Sequence, residues 1–326
     1  MSPVLRRRIA PLLAVPGLLL LGSCGSDTGT TSNDSTSISR LMPGTVLTLA
    51  SGETGGPVVG ASVTLGSQTL TSDAAGQVRL TAAAPIGTTI DIVHPAYLDR
   101  QSSVRSGTGE RFVLWPKATS SGLSEHYTAT IVYTSAADPP APTGDAALTR
   151  LPRTASAVVV VPSPDLLSDG AAMDAHSRGV ATVTEATGGV VTYTLAPTRP
   201  ASGVVVTTRV DPSDSRCVED GIRAYTRSTY QGMELQSAQI IFCTFGVSRT
   251  ATIGHELGHT FGLRHSPDQR DLMYFQFGQA RATTFGPRES LVMRLMLDRP
   301  AGNRYPDNDR SVSGSAGTSE RITVCY

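Results

Sequence analysis

Apolar and polar residues alternate with a period of two through five short runs near the front of the chain: GTVLTLA, ASVTLGS, GQVRLTA, TTIDIVH and RFVLWP, each bounded by Gly, Pro or Asp. That period turns one face of a pleated strand to a core and the other to water. The turn spacing between about Leu41 and Pro116 predicts a small all-β sandwich. After a Ser-rich break from Thr119 to Gly122 the pattern changes. TATIVYT and AVVVVPS read as strands. Pro164 to Thr187 then carries Leu166, Leu167, Ala171, Met173, Val180 and Val183 at mostly helical spacing, with Gly188 and Gly189 to stop the helix. VVTYTLAP, GVVVTTRV, GIRAYTRS and SAQIIFCT follow as strands, and a second helix is expected from about Ser248 to Leu263, capped by Ser248 or Thr250. The expected fold class is α+β, with a β-sandwich over 41–117, a larger domain over 122–310 and a C-terminal tail over 311–326.

Length and charge narrow the picture. A chain of 326 residues is long enough for two domains with full cores. Its 27 basic and 27 acidic residues cancel, and no basic block lies beyond the first residues, so nucleic acid is excluded as a partner class. Nothing calls for a second copy, and a monomer is expected. The start of the chain changes the picture more. Arg6, Arg7 and Arg8 precede an apolar run from Ile9 to Leu21 that holds Pro11 and Pro16 and is too short to cross a bilayer comfortably, which reads as a cleaved export signal. Leu21-Gly22-Ser23-Cys24 resembles a bacterial lipobox, in which Cys24 is acylated and becomes the mature N-terminus. Residues 24–40 are polar and read as a tether. The expected location is the bacterial cell envelope, outside the cytoplasm and attached to the membrane through the lipid. An ordinary secretory signal, giving a secreted protein, is the alternative.

The chemistry is concentrated in HELGHTFGLRH, residues 255–265, inside the second predicted helix. Positions four apart on a helix lie one above the other, so His255 and His259 present two imidazoles to one ion. Glu256, about 100° round from His255, is too far round to share that face squarely but reaches a water beside the ion, so it is placed as a base and not as a ligand. Gly262 permits the left-handed turn that stops the helix and brings His265 back as a third nitrogen. Three protein ligands leave a fourth position open, the mark of a catalytic zinc site. Histidines that merely decorate a helix are the rival reading, but five fixed positions recur by chance on the order of once in ten thousand chains of this length.

H-E-x-x-H-x-x-G-x-x-H followed by Met273 resembles the signature of the metzincin metalloproteases. Within that family, His265-Ser266-Pro267-Asp268 and Asp271-Leu272-Met273-Tyr274 are similar to the H-S-x-D and L-M-Y of the matrixins. The resemblance implies one catalytic Zn2+ ligated by His255, His259 and His265, Glu256 as general base, Met273 in a turn beneath the metal, and hydrolysis of a protein or peptide substrate as a zinc metalloendopeptidase. It implies a twisted, mainly parallel sheet with an antiparallel edge strand and three helices, the last from Pro287 to Asp298. Gly221 to Arg227 is then the edge along which an extended substrate adds as a strand, and Gln276 to Phe285 the wall of the specificity pocket. Tyr274 is not counted as a ligand, because astacin-like members carry theirs two positions after the methionine, where this chain has Phe275. In the front domain, Pro57 to Leu65 and Thr71 to Val78 resemble the carboxypeptidase regulatory-like domains. Those are transthyretin-like sandwiches that act as spacers or docking modules.

The chain departs from the matrixins in having no P-R-C-G latency segment before the second domain. Ser215-Arg216-Cys217 lies inside that domain instead, which leaves latency control in doubt. Cys217 and Cys243 flank the predicted hairpin GIRAYTRSTYQGMELQSAQIIFC almost symmetrically. Antiparallel pairing would bring them together and leave Cys325 free, while the rival joins Cys325 to one of the other two. Asp307-Asn308-Asp309 is weak evidence for a Ca2+ site, since acidic loops are commonly just solvated. The competing function is a surface adhesion or binding protein in which the sandwich does the work. Glu256 argues against it, because a mere support needs no base beside a metal.

Overall fold

The computed structural model describes residues 40–134, 146–218, 221–243, 249–276, 280–309 and 317–325. The front of the chain forms β1 (Arg40–Leu41), β2 (Val46–Ser51), β3 (Ser62–Leu65), β4 (Gln68–Thr71), β5 (Gln77–Arg79), β6 (Ala84–Pro85), β7 (Thr89–Val93), β8 (Arg100–Ser103) and β9 (Arg111–Leu114). They pair as β5-β2-β9, β4-β3-β7-β8 and the short β1-β6 ribbon. The alternation seen in the sequence supplies their contact: Leu47, Leu49, Phe112 and Leu114 share one apolar cluster with Val63, Leu65, Ile90 and Ile92. β4 and β8 escape that pattern for two reasons. β4 packs only Leu70 against the cluster, and β8 buries Arg100 and Ser102, which no hydropathy rule marks as interior.

The larger half opens with a difference. TATIVYT, expected as a strand, is the end of α1 (Glu125–Thr128) continued by one π-helical turn, Ala129–Tyr133. Ser124 caps α1 by accepting from the Tyr127 N–H, and the segment from Tyr127 to Tyr133 is buried all round. A short run buried on every side carries no period, so β-branched content misleads there. Next come β10 (Ala157–Pro162), α2 (Pro164–Leu167) and α3 (Gly170–Ala186). The single helix expected over 164–187 is thus broken, because the Asp169 carboxylate accepts from the N–H groups of Ala171 and Ala172 and starts a new helix.

After β11 (Thr192–Leu195) and β12 (Val204–Val210), β13 (Ala224–Gln231) and β14 (Glu234–Phe242) form a hairpin, followed by α4 (Thr250–Phe261), α5 (Pro287–Leu297) and β15 (Thr318–Cys325). A disulfide joins Cys217 to Cys243. The six strands order as β11-β10-β12-β14-β13-β15. The first four are mutually parallel, and β13 is antiparallel to both of its neighbours. This is an α+β fold with a mixed sheet.

Two expectations change here. The edge expected over Gly221 to Arg227 is not an edge from Ala224 onward, because β15 pairs along all of β13. The segment expected as a C-terminal tail, 311–326, contributes the strand that does so.

Ile38–Tyr326 packs as one compact unit. Trp115 and Leu98 of the front half enter the cluster built by the larger half, and buried charges lie at the same junction. Arg100 contacts Asp307 at 2.7 Å and Asp309 at 2.6 Å, Arg299 contacts Asp307 at 2.6 Å, and Asn303 donates to both carboxylates. The acidic pair considered for Ca2+ is therefore engaged by guanidinium groups, which take the lone pairs a hard cation would need. Among the described residues no helix is long and apolar enough to cross a membrane. The export signal, Cys24 and most of the tether lie outside the described residues.

Candidate metal centre

α4 is buried from Thr252 to Phe261 because it lies between α3 on one side and β13 and β14 on the other. Thr250 opens the helix rather than capping it, and its hydroxyl accepts from Arg178 Nε. Ser248 lies outside the described residues. Two glycines set the local backbone. A Cβ on Gly258 would lie 2.5 Å from Met273 Sδ, so the missing side chain lets the methionine pack against the helix between the two histidine turns. Gly258→Ala should therefore push Met273 away and cost about 1–3 kcal/mol by overpacking, read as a shift in the urea midpoint. An unchanged midpoint would mean the contact is slack. Gly262 has φ +120°, and a Cβ there would meet the Thr149 carbonyl oxygen at 2.2 Å, so only glycine makes the turn that returns the chain toward His265.

The imidazoles converge. His255 Nδ1 donates to the Leu272 carbonyl at 2.6 Å, and His259 Nδ1 donates to the Leu263 carbonyl at 3.0 Å. A carbonyl can only accept, so each ring carries its proton on Nδ1, and in the neutral form the lone pair is on Nε2. Those two Nε2 atoms face each other at 3.1 Å, an arrangement that repels unless a cation lies between them. His265 completes the group, its ring centroid 4.7 Å from that of His259 and 5.4 Å from that of His255. A tetrahedral Zn2+ with Zn–N of about 2.0–2.1 Å needs N···N edges of about 3.3 Å, close to the spacing found. Burial holds the rings neutral and ready to ligate: the pKa of His255 falls to about 4, that of His265 to about 3, and that of His259 well below the ordinary value, with its histidine neighbours adding to the effect.

Glu256 lies beside them, wholly buried. Its Oε2 accepts from the Thr226 hydroxyl on β13 at 2.5 Å, while Oε1 is buried with no hydrogen-bond partner among the described residues. Burial raises this carboxyl to about 7, opposed by the Cys325 thiol and the Thr226 hydroxyl. A cation at the three imidazoles would draw it back down. Converging lone pairs and an orphaned carboxylate oxygen are what a metal ion with a water beside it would satisfy, so the residues fit Zn2+.

The loop that carries the third histidine is locked from behind. Glu289 on α5 accepts from the N–H groups of Met273 at 2.9 Å and Leu272 at 3.3 Å, and the Leu272 carbonyl orients His255. Asp271 accepts from Tyr127 and Arg288 at 2.8 Å each and from the Ser266 hydroxyl. The structure thus brings His255, Glu256, His259, His265 and Met273 together. Tyr274 pairs through its backbone with Ser266 and meets the Phe275 ring edge-on, with centroids 4.8 Å apart. Of the expected pocket wall, Phe285 reaches the face of α4 at Gly258, and 277–279 lie outside the described residues.

Three participants were missed by sequence reasoning. Thr226 and Glu289 carry no motif. Cys325 joins His255, His259 and His265 in one buried group whose ligand atoms all lie within 4.8 Å of one another. Its only signal was an unpaired cysteine in an exported chain.

No protein-family model and no curated protein matches this chain. Among solved structures, high choriolytic enzyme 1, a hatching enzyme zinc-protease from Oryzias latipes (Medaka fish), aligns at 10% identity over 46% of this chain and 92% of that one, with a TM-score of 0.30. A likeness of that size carries no argument about activity.

Proposed function

We propose that the protein is a zinc-dependent endopeptidase of the metzincin type, working outside the cytoplasm on protein or peptide substrates and held at a membrane through Cys24. The observation that carries this reading is the convergence of His255 and His259 Nε2 with His265, beside Oε1 of Glu256, which has no hydrogen-bond partner among the described residues. A zinc ion held by the three imidazoles would polarise a peptide carbonyl and make water more acidic. The rest falls to the chain's own residues. Glu256 Oε1 accepts the proton of the attacking water and returns it to the leaving amine, while Thr226 fixes Oε2 so that the carboxylate does not rotate away. Leu272 and Leu263 hold the histidine tautomers. The apolar packing of α4, with Met273 beneath it, keeps bulk water from the carboxylate. The front sandwich serves as a spacer rigidly joined to the enzyme.

The test is elemental analysis of the purified chain followed by long incubation with a complex peptide library, with and without a zinc chelator. One zinc per chain and site-specific cleavage confined to the untreated sample are expected. A chain that binds no zinc, or cleavage indifferent to the chelator, would overturn the reading.

A further inference from the structure

The strand β15 takes the outer edge of β13, the edge along which the zinc-peptidase reading would have an extended peptide add. It runs antiparallel along all of β13, from Cys325 opposite Ala224 to Thr318 opposite Gln231. β13 is also the strand whose Thr226 holds the candidate base. The strand is attached mainly by its backbone: Cys325 is its one buried side chain, while Thr318, Ser319 and Glu320 are exposed and the other four are half-buried. Beyond Cys325, its side-chain ties among the described residues include an exposed Arg227–Glu320 pair at 3.6 Å, and Arg321, which donates to Thr149 and lies over the Tyr230 ring. Ladder hydrogen bonds plus one side chain seated in a pocket is the way a peptide is held at a sheet edge.

That one side chain ends at the metal group. Cys325 Sγ lies 3.4 Å from His259 Nε2 and 3.7 Å from His265 Nε2. A tetrahedral ion with Zn–S of about 2.3 Å and Zn–N of about 2.0–2.1 Å requires N···S edges of about 3.6 Å, between the two distances found.

We propose that β15 is a built-in inhibitor that fills the substrate edge of β13 and gives the ion its fourth ligand, the Cys325 sulfur. This rests on the zinc-peptidase reading above. When the ion is bound, the S–H bond breaks, its electron pair is shared with the ion and its proton leaves to solvent. The position open to water is then taken, and Glu256 has no water to deprotonate. Catalysis requires β15 to leave β13, and Cys325 with it. This places control of activity in β15.

The test uses the metal-free full chain loaded with one equivalent of cobalt(II), comparing wild type with Cys325→Ser. The wild type should show a sulfur-to-cobalt charge-transfer band in the near ultraviolet. The variant should lose the band, keep one cobalt per chain, and, as the zinc form, cleave an unstructured peptide at least about tenfold faster, because rate scales with the open fraction. Cobalt bound without the band in wild type overturns the inhibitor and leaves the peptidase reading standing. Cobalt bound by neither protein overturns the peptidase reading itself. A band whose loss brings no gain in rate makes the centre a fixed four-ligand one and overturns the inhibitor. Should the substitution disturb folding, wild type suffices: a thiol-alkylating reagent should bleach the band in step with a rise in rate, and bleaching without that rise counts against the proposal.

Discussion

Glu256→Gln should bind zinc as wild type does and lose peptide hydrolysis by about 10²- to 10⁴-fold, the usual worth of a general base. The split follows from the geometry. The carboxylate supplies none of the converging nitrogens, and its Oε2 contact with Thr226 is one that a glutamine oxygen can still accept, so the fold and the metal site are left alone. What is lost is the basic oxygen at Oε1. His259→Ala should behave differently, losing the ion together with activity, most completely in a chain that also lacks the Cys325 thiol, because only two imidazoles then remain. Metal content and cleavage rate should be measured on both variants, in the wild-type chain and in a Cys325→Ser chain. Wild-type rates from Glu256→Gln in both chains would mean that another group moves the proton.

Asp307→Ala should destabilise the protein by about 3–5 kcal/mol, the cost of leaving a buried cation unpaired. Asp307 accepts from Arg100, Arg299 and Asn303, and Arg299 is only 1% exposed, left otherwise with the Val113 carbonyl and the Trp115 ring. Because Arg100, Val113 and Trp115 belong to the front half, loosening this cluster should loosen the junction between the two halves. The pH dependence has a definite sign. Burial by itself raises the Asp307 carboxyl, but Arg100 and Arg299 outweigh it and hold the pKa below the ordinary 3.8. A depressed pKa contributes stability that is present above the unfolded value and is lost as pH falls through the folded one. Wild type should therefore lose stability below about pH 4, and Asp307→Ala should show a shallower acid slope. Denaturant melts of both proteins across that range decide the matter. A loss under about 1 kcal/mol, with parallel acid slopes, would mean that the remaining carboxylate, Asp309, satisfies both arginines.

What the chain reveals by itself is what local geometry controls. The spacing of His255 and His259 survives translation into structure because helical periodicity alone stacks them, and the stop at Gly262 is legible because no other residue makes that turn. The front strands were readable for the same reason, since one face of each meets a core. Where burial is complete, the period vanishes, and TATIVYT folded into a helical turn instead of a strand. β8 was hidden for the opposite reason, its buried positions being polar and satisfied only by Asp307 and Asp309 far along the chain. The completion of the candidate site belongs to tertiary structure alone. Thr226 reaches Glu256 from a strand 30 residues earlier, and Cys325 reaches His259 across 66 residues. No period or spacing encodes such contacts, because they follow from which strand pairs with which, and that is settled only when the whole sheet assembles.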